Sequence, residues 1–154
     1  MSEPKPLGDT PIGVCHSGDI ALVGGEAQTI ICVRAREKAL RIRGWRLLFH
    51  GTSSASGPAE VILEFQRDGE FRKRSRIPVQ GQPERFLGGY FDTEMLAPPR
   101  TLAVFDRLWK PLFGGFVGWD YKADEVVINP GESFGFKIMT PQSVCCQVSV
   151  FCAE

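Results

Sequence analysis

The sequence has little of what catalysis, metal binding or membrane insertion usually requires. It contains two histidines, His16 and His50, far apart and in no metal-ligand spacing. A zinc site or a cupin-like enzyme, which needs a set of histidines, is therefore disfavoured, and no cofactor site is specified. No apolar run approaches the ~20 residues of a membrane span. The opening MSEPKPLGDTPIG has neither an apolar core nor a cleavage signal, so it does not read as a secretion leader. Charge of one sign is also missing: 18 basic residues balance 18 acidic ones. A neutral chain offers no general attraction to nucleic acid or to an anionic membrane. The five cysteines, Cys15, Cys32, Cys145, Cys146 and Cys152, form no C-x-x-C, and their odd number argues against a disulfide framework. They read as free thiols, mostly buried, in a protein made in the cytosol.

A sustained 3.6-residue apolar period is absent too, so little helix is expected. What the chain has instead is alternation. After the Asn129-Pro130-Gly131 turn, Phe134, Phe136 and Ile138 alternate with Gly135 and Lys137. After Pro141, the residues Val144, Cys146, Val148, Val150 and Cys152 alternate with Cys145, Gln147, Ser149 and Phe151. A period of two puts one face of each segment in the core. The two segments read as a terminal pair of strands joined by a turn.

Earlier strands follow the same logic. Ile12–His16 reads as a short edge strand, Asp19–Val23 as another closed by Gly24-Gly25, and Ala27–Val33 as a central strand apolar on both faces. In Leu40–Phe49, Leu40 and Ile42 point inward. After Gly44 the frame moves by one, and Trp45, Leu47 and Phe49 share the inward parity, as at a β-bulge. The small polar loop from His50 to Pro58 lacks a phosphate-loop arrangement and reads as a hairpin connection to Ala59–Gln66. His50 beside Ser53 and Ser54 specifies no triad. In Ala59–Gln66, Val61, Leu63 and Phe65 face inward, while Glu60 and Glu64 face arginines 41, 43 or 46 across the ladder.

Asp68-Gly69 turns the chain into a basic run, Arg72, Lys73, Arg74 and Arg76, suited to an acidic protein surface or to water. From Ser75 to Pro99, prolines and glycines interrupt the pattern, and the stretch reads as irregular. Its Phe86, Tyr90 and Phe91 must be buried in the domain or against a partner. Extended character resumes over Thr101–Leu108. The segment WKPLFGGFVGWDY, Trp109 to Tyr121, reads as an aromatic, glycine-rich loop. Its rings at Trp109, Phe113, Phe116 and Trp119 suit an interface, or a sugar platform built on Trp109, Trp119 and Tyr121. Residues 1–11 read as an extended, proline-rich arm whose Pro4, Pro6 and Leu7 suit contact with a neighbour, and residues 12–154 as one domain. About nine short strands with glycine and proline turns indicate an all-β antiparallel sandwich, and the long crossing connections favour a jelly-roll-like form.

Three segments together resemble a family of small tailed-phage virion proteins: LRIRGWRLLFHGTSSASGPAEVILEFQRDGEF, WKPLFGGFVGWDY and EVVINPGESFGFKIMTPQSVCCQVSVFCAE. The resemblance covers roughly two thirds of the chain and carries no catalytic residue. It implies a jelly-roll-like capsid decoration, or cement, protein on the outer surface of a virion. Such a protein is made in the host cytoplasm and is oligomeric, here with a trimer favoured. Its partners are the major capsid protein and sister subunits. The alternative function is a tail- or baseplate-associated module that binds a receptor or carbohydrate.

Overall fold

The computed structural model describes residues 11–50, 58–112 and 126–154, together with the backbone of 115–119. Every regular element among them is a strand. In chain order these are β1 (Gly13–His16), β2 (Ile20–Leu22), β3 (Ala27–Ala35), β4 (Leu40–His50), β5 (Ala59–Arg67), β6 (Glu70–Phe71) and β7 (Ser75–Val79). They continue with β8 (Gln82–Asp92), β9 (Met95–Ala97), β10 (Arg100–Lys110), β11 (Gly115–Trp119), β12 (Val127–Ile128), β13 (Glu132–Met139) and β14 (Val144–Ala153). β6 and β9 form a small ribbon of their own. The rest build one antiparallel sheet in the order β10-β5-β13-β3-β8-β7-β1-β14-β4-β11, with β12 added to β4 and β2 to β14.

The sheet curls until its halves face each other, in the manner of a β-sandwich. Trp45 on β4 meets Phe136 on β13 edge to face, ring centroids 5.4 Å apart, although these strands are far apart in the sheet order. Around this contact, Leu40, Ile42, Leu47, Leu63, Phe134, Ile138, Val148 and Val150 are all buried. The alternation expected in β4 holds, including its change of frame. Gly44 pairs with Phe151 and Ile42 with Cys152, so Arg43 is the extra residue of a bulge. The Asn129-Pro130-Gly131 turn also holds. Glu132 N donates to Asn129 O at 2.8 Å, and Gly131 takes a φ of 84°, a conformation that suits glycine.

Pairing departs from expectation in several places. The last two strands form no hairpin: β13 lies between β5 and β3, while β14 lies between β1 and β4. The link between them crosses from one half of the sandwich to the other. It is pinned to the Gly24-Gly25 turn, where Gly25 N donates to Thr140 O at 2.7 Å and Gly24 N to Ser143 Oγ at 3.2 Å. Crossing lets two one-sided apolar strands bury their faces against each other rather than side by side. β4 and β5 are likewise in opposite halves, so the small polar loop is no hairpin turn. Residues 51–57 themselves lie outside the described region. β1 is not an edge strand, since it bridges β14 and β7.

The stretch from Ser75 to Pro99 is not irregular but holds β7, β8 and β9. Part of WKPLFGGFVGWDY is likewise strand β11, paired to β4 from Gly115↔Leu48 to Trp119↔Gly44.

All five cysteines are free; Cys15, Cys32, Cys146 and Cys152 are buried and Cys145 is exposed. Burial pushes the Cys32 thiol up to about 11 and the Cys146 thiol up to about 12. Burial also raises Cys15 well above the usual thiol range, helped by its contact with Cys152. Thiolate, the reactive form, is thus scarce where access is also blocked. Maleimide at mildly alkaline pH is expected to add once to the native chain, at Cys145, and to all five thiols in denaturant. Intact-mass measurement reads this directly, and rapid native addition at a second thiol contradicts the assignment.

Candidate functional site

The most developed surface feature lies on the β7–β8 hairpin. The two strands meet at a Gln80-Gly81 turn, with Gly81 at a φ of 79°. On β7, Ile77 and Val79 are buried. The opposite parity, Arg76 and Pro78, therefore faces outward, and Arg74 just ahead of the strand continues that side. β8 carries more residues than β7 can oppose. Arg76 pairs with Tyr90 but Ile77 pairs with Leu87, leaving Gly88 and Gly89 as a bulge. A second irregularity separates Pro78↔Phe86 from Val79↔Gln82. The bulges set Phe86 and Tyr90 on the outward side while Leu87 turns into the core. A side chain at position 89 is excluded, because a Cβ there would stand 2.7 Å from the backbone oxygen of Arg34 and 2.8 Å from Leu40 Cδ1.

Rings and guanidinium groups then alternate. The Arg76 guanidinium lies over the Phe86 ring at 3.8 Å, and that of Arg74 over Tyr90 at 5.4 Å. Tyr90 meets Phe71 edge-on at 5.2 Å, and Arg34 lies over the Phe71 ring at 4.4 Å. Each cation–π contact contributes about 0.5–1 kcal/mol at an exposed site and, more usefully here, limits where the guanidinium points. Arg34 also donates to the carbonyls of Asp68 and Gly69, tying down the turn before the basic run. The buried Asp92 carboxylate accepts from Lys73 N at 2.7 Å, Thr93 N at 2.8 Å and Glu94 N at 3.1 Å. The run is thereby held by backbone as well as by rings. Arg36, Glu37, Arg74, Arg76, Phe86 and Tyr90 line a cleft of about 510 Å³ together with the Gly88-Gly89 bulge.

A second polar group occupies the outer face of β1, β4 and β14. His16 Nδ1 is 2.8 Å from Ser149 Oγ, and His50 Nε2 is 3.1 Å from Asp19 Oδ1, which also accepts from Gln147 Nε2 at 2.6 Å. The Gln147 hydrogen bond, helped by both imidazoles, lowers the Asp19 carboxyl from its ordinary value. The hydroxyl and the carboxylate contact different histidines, so these contacts do not join into a nucleophile–base–acid chain.

A third feature is β10, which among the described residues has a strand neighbour on one side only, β5. Its Leu102, Val104 and Trp109 are 43%, 48% and 59% exposed, and Leu96 on β9 is 61% exposed.

The interface residues expected from the sequence are thus divided. Phe86 and Tyr90 line the cleft. Phe91 packs against the core instead, because its register partner Val33 faces inward. Trp109 stands exposed on β10, four places from β8 in the sheet order. Phe116 and Trp119 fall on β11, opposite Leu47 and Gly44 of β4. Pro4, Pro6, Leu7 and Phe113 lie outside the described residues. Sequence reasoning missed Arg36, Leu96, Leu102 and Val104 as surface features. It also placed the partners of Glu60 and Glu64 on β4. They are Arg107, 3.2 Å from Glu60, and Lys137, 2.7 Å from Glu64. Neither the scan against protein-family models nor the search of the curated proteins finds a match to this chain.

Proposed function

We propose that the chain is a non-enzymatic structural protein that works by docking. Following its resemblance to small tailed-phage virion proteins, we place it on the outer surface of a phage head as a decoration protein. The observation that supports docking is the β10 edge, where Leu102, Val104 and Trp109 are exposed on a strand that, among the described residues, is paired on one side only. Uncovered edges and apolar patches are usually suppressed in a chain that acts alone. In this reading the sandwich-like core fixes a shape, and β10 with the proline-rich arm of residues 1–11 contacts capsid and sister subunits in a homo-oligomer, a trimer favoured. Repetition over the shell makes individually weak contacts sufficient.

The second reading, a receptor- or carbohydrate-binding module of the tail, is favoured by one detail: the exposed Trp109 ring offers a stacking face. Quantitative mass spectrometry of purified virions separates the two. Decoration predicts a copy number comparable with that of the major shell protein, and particles re-bound with the Trp109→Ser variant should carry several-fold fewer copies. A handful of copies per particle supports the tail reading, and absence from particles overturns both.

A further inference from the structure

We infer that the β7–β8 cleft is a binding site for an acidic peptide segment of a partner protein, received as side-chain carboxylates by Arg36, Arg74 and Arg76. The inference is independent of whether the chain decorates a phage head. It rests first on charge. Three guanidinium groups line the cleft against one lining carboxylate, Glu37, in a chain whose net charge is zero, and the nearby Glu154 carboxylate is paired with Lys38. Among the described residues none of the three forms an ion pair, although Arg72, Arg100 and Arg107 all do. Concentrating unpaired cations in a concave place costs self-repulsion, which a bound anion relieves.

Geometry supplies the second argument. The guanidinium groups of Arg76 and Arg74 lie over the Phe86 and Tyr90 rings, and among the described residues their N–H groups have no hydrogen-bond or ion-pair partner. A guanidinium so held has already lost much of its rotamer freedom, and its fork matches a carboxylate in two-point contact. The rings also give the aliphatic part of a peptide something to lie against. At about 510 Å³, the cleft has the size of an ordinary ligand site.

The third argument comes from the chain's own chemistry at the bulge beside the cleft. The backbone N–H of Gly88, freed from the ladder by the bulge, donates to the Glu154 carboxylate at 2.7 Å. Lys38 Nζ stands 3.8 Å from the other oxygen of Glu154. A carboxylate is thus already bound at the bulge that borders the cleft. The same arrangement argues against phosphate as the intended anion. Phosphate sites converge several backbone N–H groups on one point, whereas the N–H at this bulge is already committed to Glu154.

Fluorescence polarisation on the full chain tests this, with a labelled peptide of alternating Glu and Ala as probe and the corresponding Lys peptide as control. Saturable binding of the Glu peptide, weakened by added salt, is expected. Arg74→Gln and Arg76→Gln should each weaken it about tenfold, as expected for the loss of a charge-assisted contact. Arg76→Lys should also weaken it, since it keeps the charge but loses the fork and the stacking. Trp109→Ala should leave it unchanged. Denaturant midpoints of the variants check that they remain folded. No saturable binding, equal binding of the Lys peptide, or affinity indifferent to both Gln substitutions overturns the inference. So does binding of inorganic phosphate or a short oligonucleotide in place of the Glu peptide.

Discussion

Trp45→Ala is expected to cost about 3–5 kcal/mol, the range for deleting a large aromatic side chain from a packed core. Trp45 is 2% exposed and lies edge-on to Phe136 of the facing half, with the planes at 66°. It therefore joins the two halves, not merely neighbours within one. Truncation removes apolar area, an aromatic pair and the filling between the two halves, and the curled sheet can close the gap only in part. A domain of this size has about 5–15 kcal/mol in total, so the loss takes a large share. Urea unfolding should show a lower midpoint at an unchanged slope, the sign of lost stability without a change in the surface exposed. Leu48→Ala on the same strand is the control. Leu48 has the opposite parity and is 39% exposed, so its truncation should cost about 0.5 kcal/mol or less. Comparable losses at the two positions would refute the frame change at the Gly44 bulge, because that change alone decides which of them faces the core.

That strand illustrates how much of the fold is legible in the sequence. Alternation reports which face a residue presents, and it survives a bulge when a glycine marks the site. It does not report which strand lies alongside. β13 and β14 have the pattern of a hairpin, and so do β4 and β5, yet both pairs are split between facing halves. A strand crossing to the opposite layer needs the same one-sided pattern as a strand turning back beside its predecessor. The pairing is settled by the whole core, not by the connection.

β8 fails for a different reason. Its two irregularities insert residues that reset the parity, so Leu87 turns inward while Phe86, Tyr90 and Phe91 fall on different sides. Without a fixed period an eleven-residue strand reads as a loop. β10 is legible as extended over Thr101–Leu108, but its register shifts between Thr101 and Ala103 and between Val104 and Asp106 obscure which side chains face outward.

The cleft is half legible. Arg74 and Arg76 stand out in sequence as a basic run with no aromatic residues interleaved. The rings that support them, Phe86 and Tyr90, come from the next strand, and Arg36 comes from the segment between β3 and β4. Interleaving exists in space, across the ladder, and a linear scan cannot find it. The exposed thiol shows the converse. Cys145 has the outward parity of β14 in the sequence, and its exposure follows from alternation alone.

The second large effect is expected at Lys137. Glu64 is 3% exposed in the middle of β5, flanked by β13 and β10. Lys137 Nζ approaches its Oε1 at 2.7 Å as an ion pair, and Thr101 Oγ1 donates to Oε2 at 2.6 Å. Lys137 is half-buried but the Glu64 carboxylate it compensates is fully so, and removing the partner leaves that buried charge uncompensated, so Lys137→Met should cost about 3 kcal/mol. Glu64→Gln added to that variant should restore most of the loss, since the amide oxygen still accepts from Thr101 and no charge remains. The double-mutant cycle isolates the coupling, and neighbouring charges in one network are where additivity should fail. Arg107→Ala gives the scale for a more exposed pair. Arg107 contacts Glu60 at 3.2 Å, but its side chain is 57% exposed, so about 0–1 kcal/mol is expected. Should Lys137→Met cost no more than Arg107→Ala, water reaches Glu64, and β5 is not enclosed between β13 and β10 as the register requires. A large loss with rescue by Glu64→Gln places that carboxylate in the interior, where its partner is set by sheet order and not by the strand that precedes it in the chain.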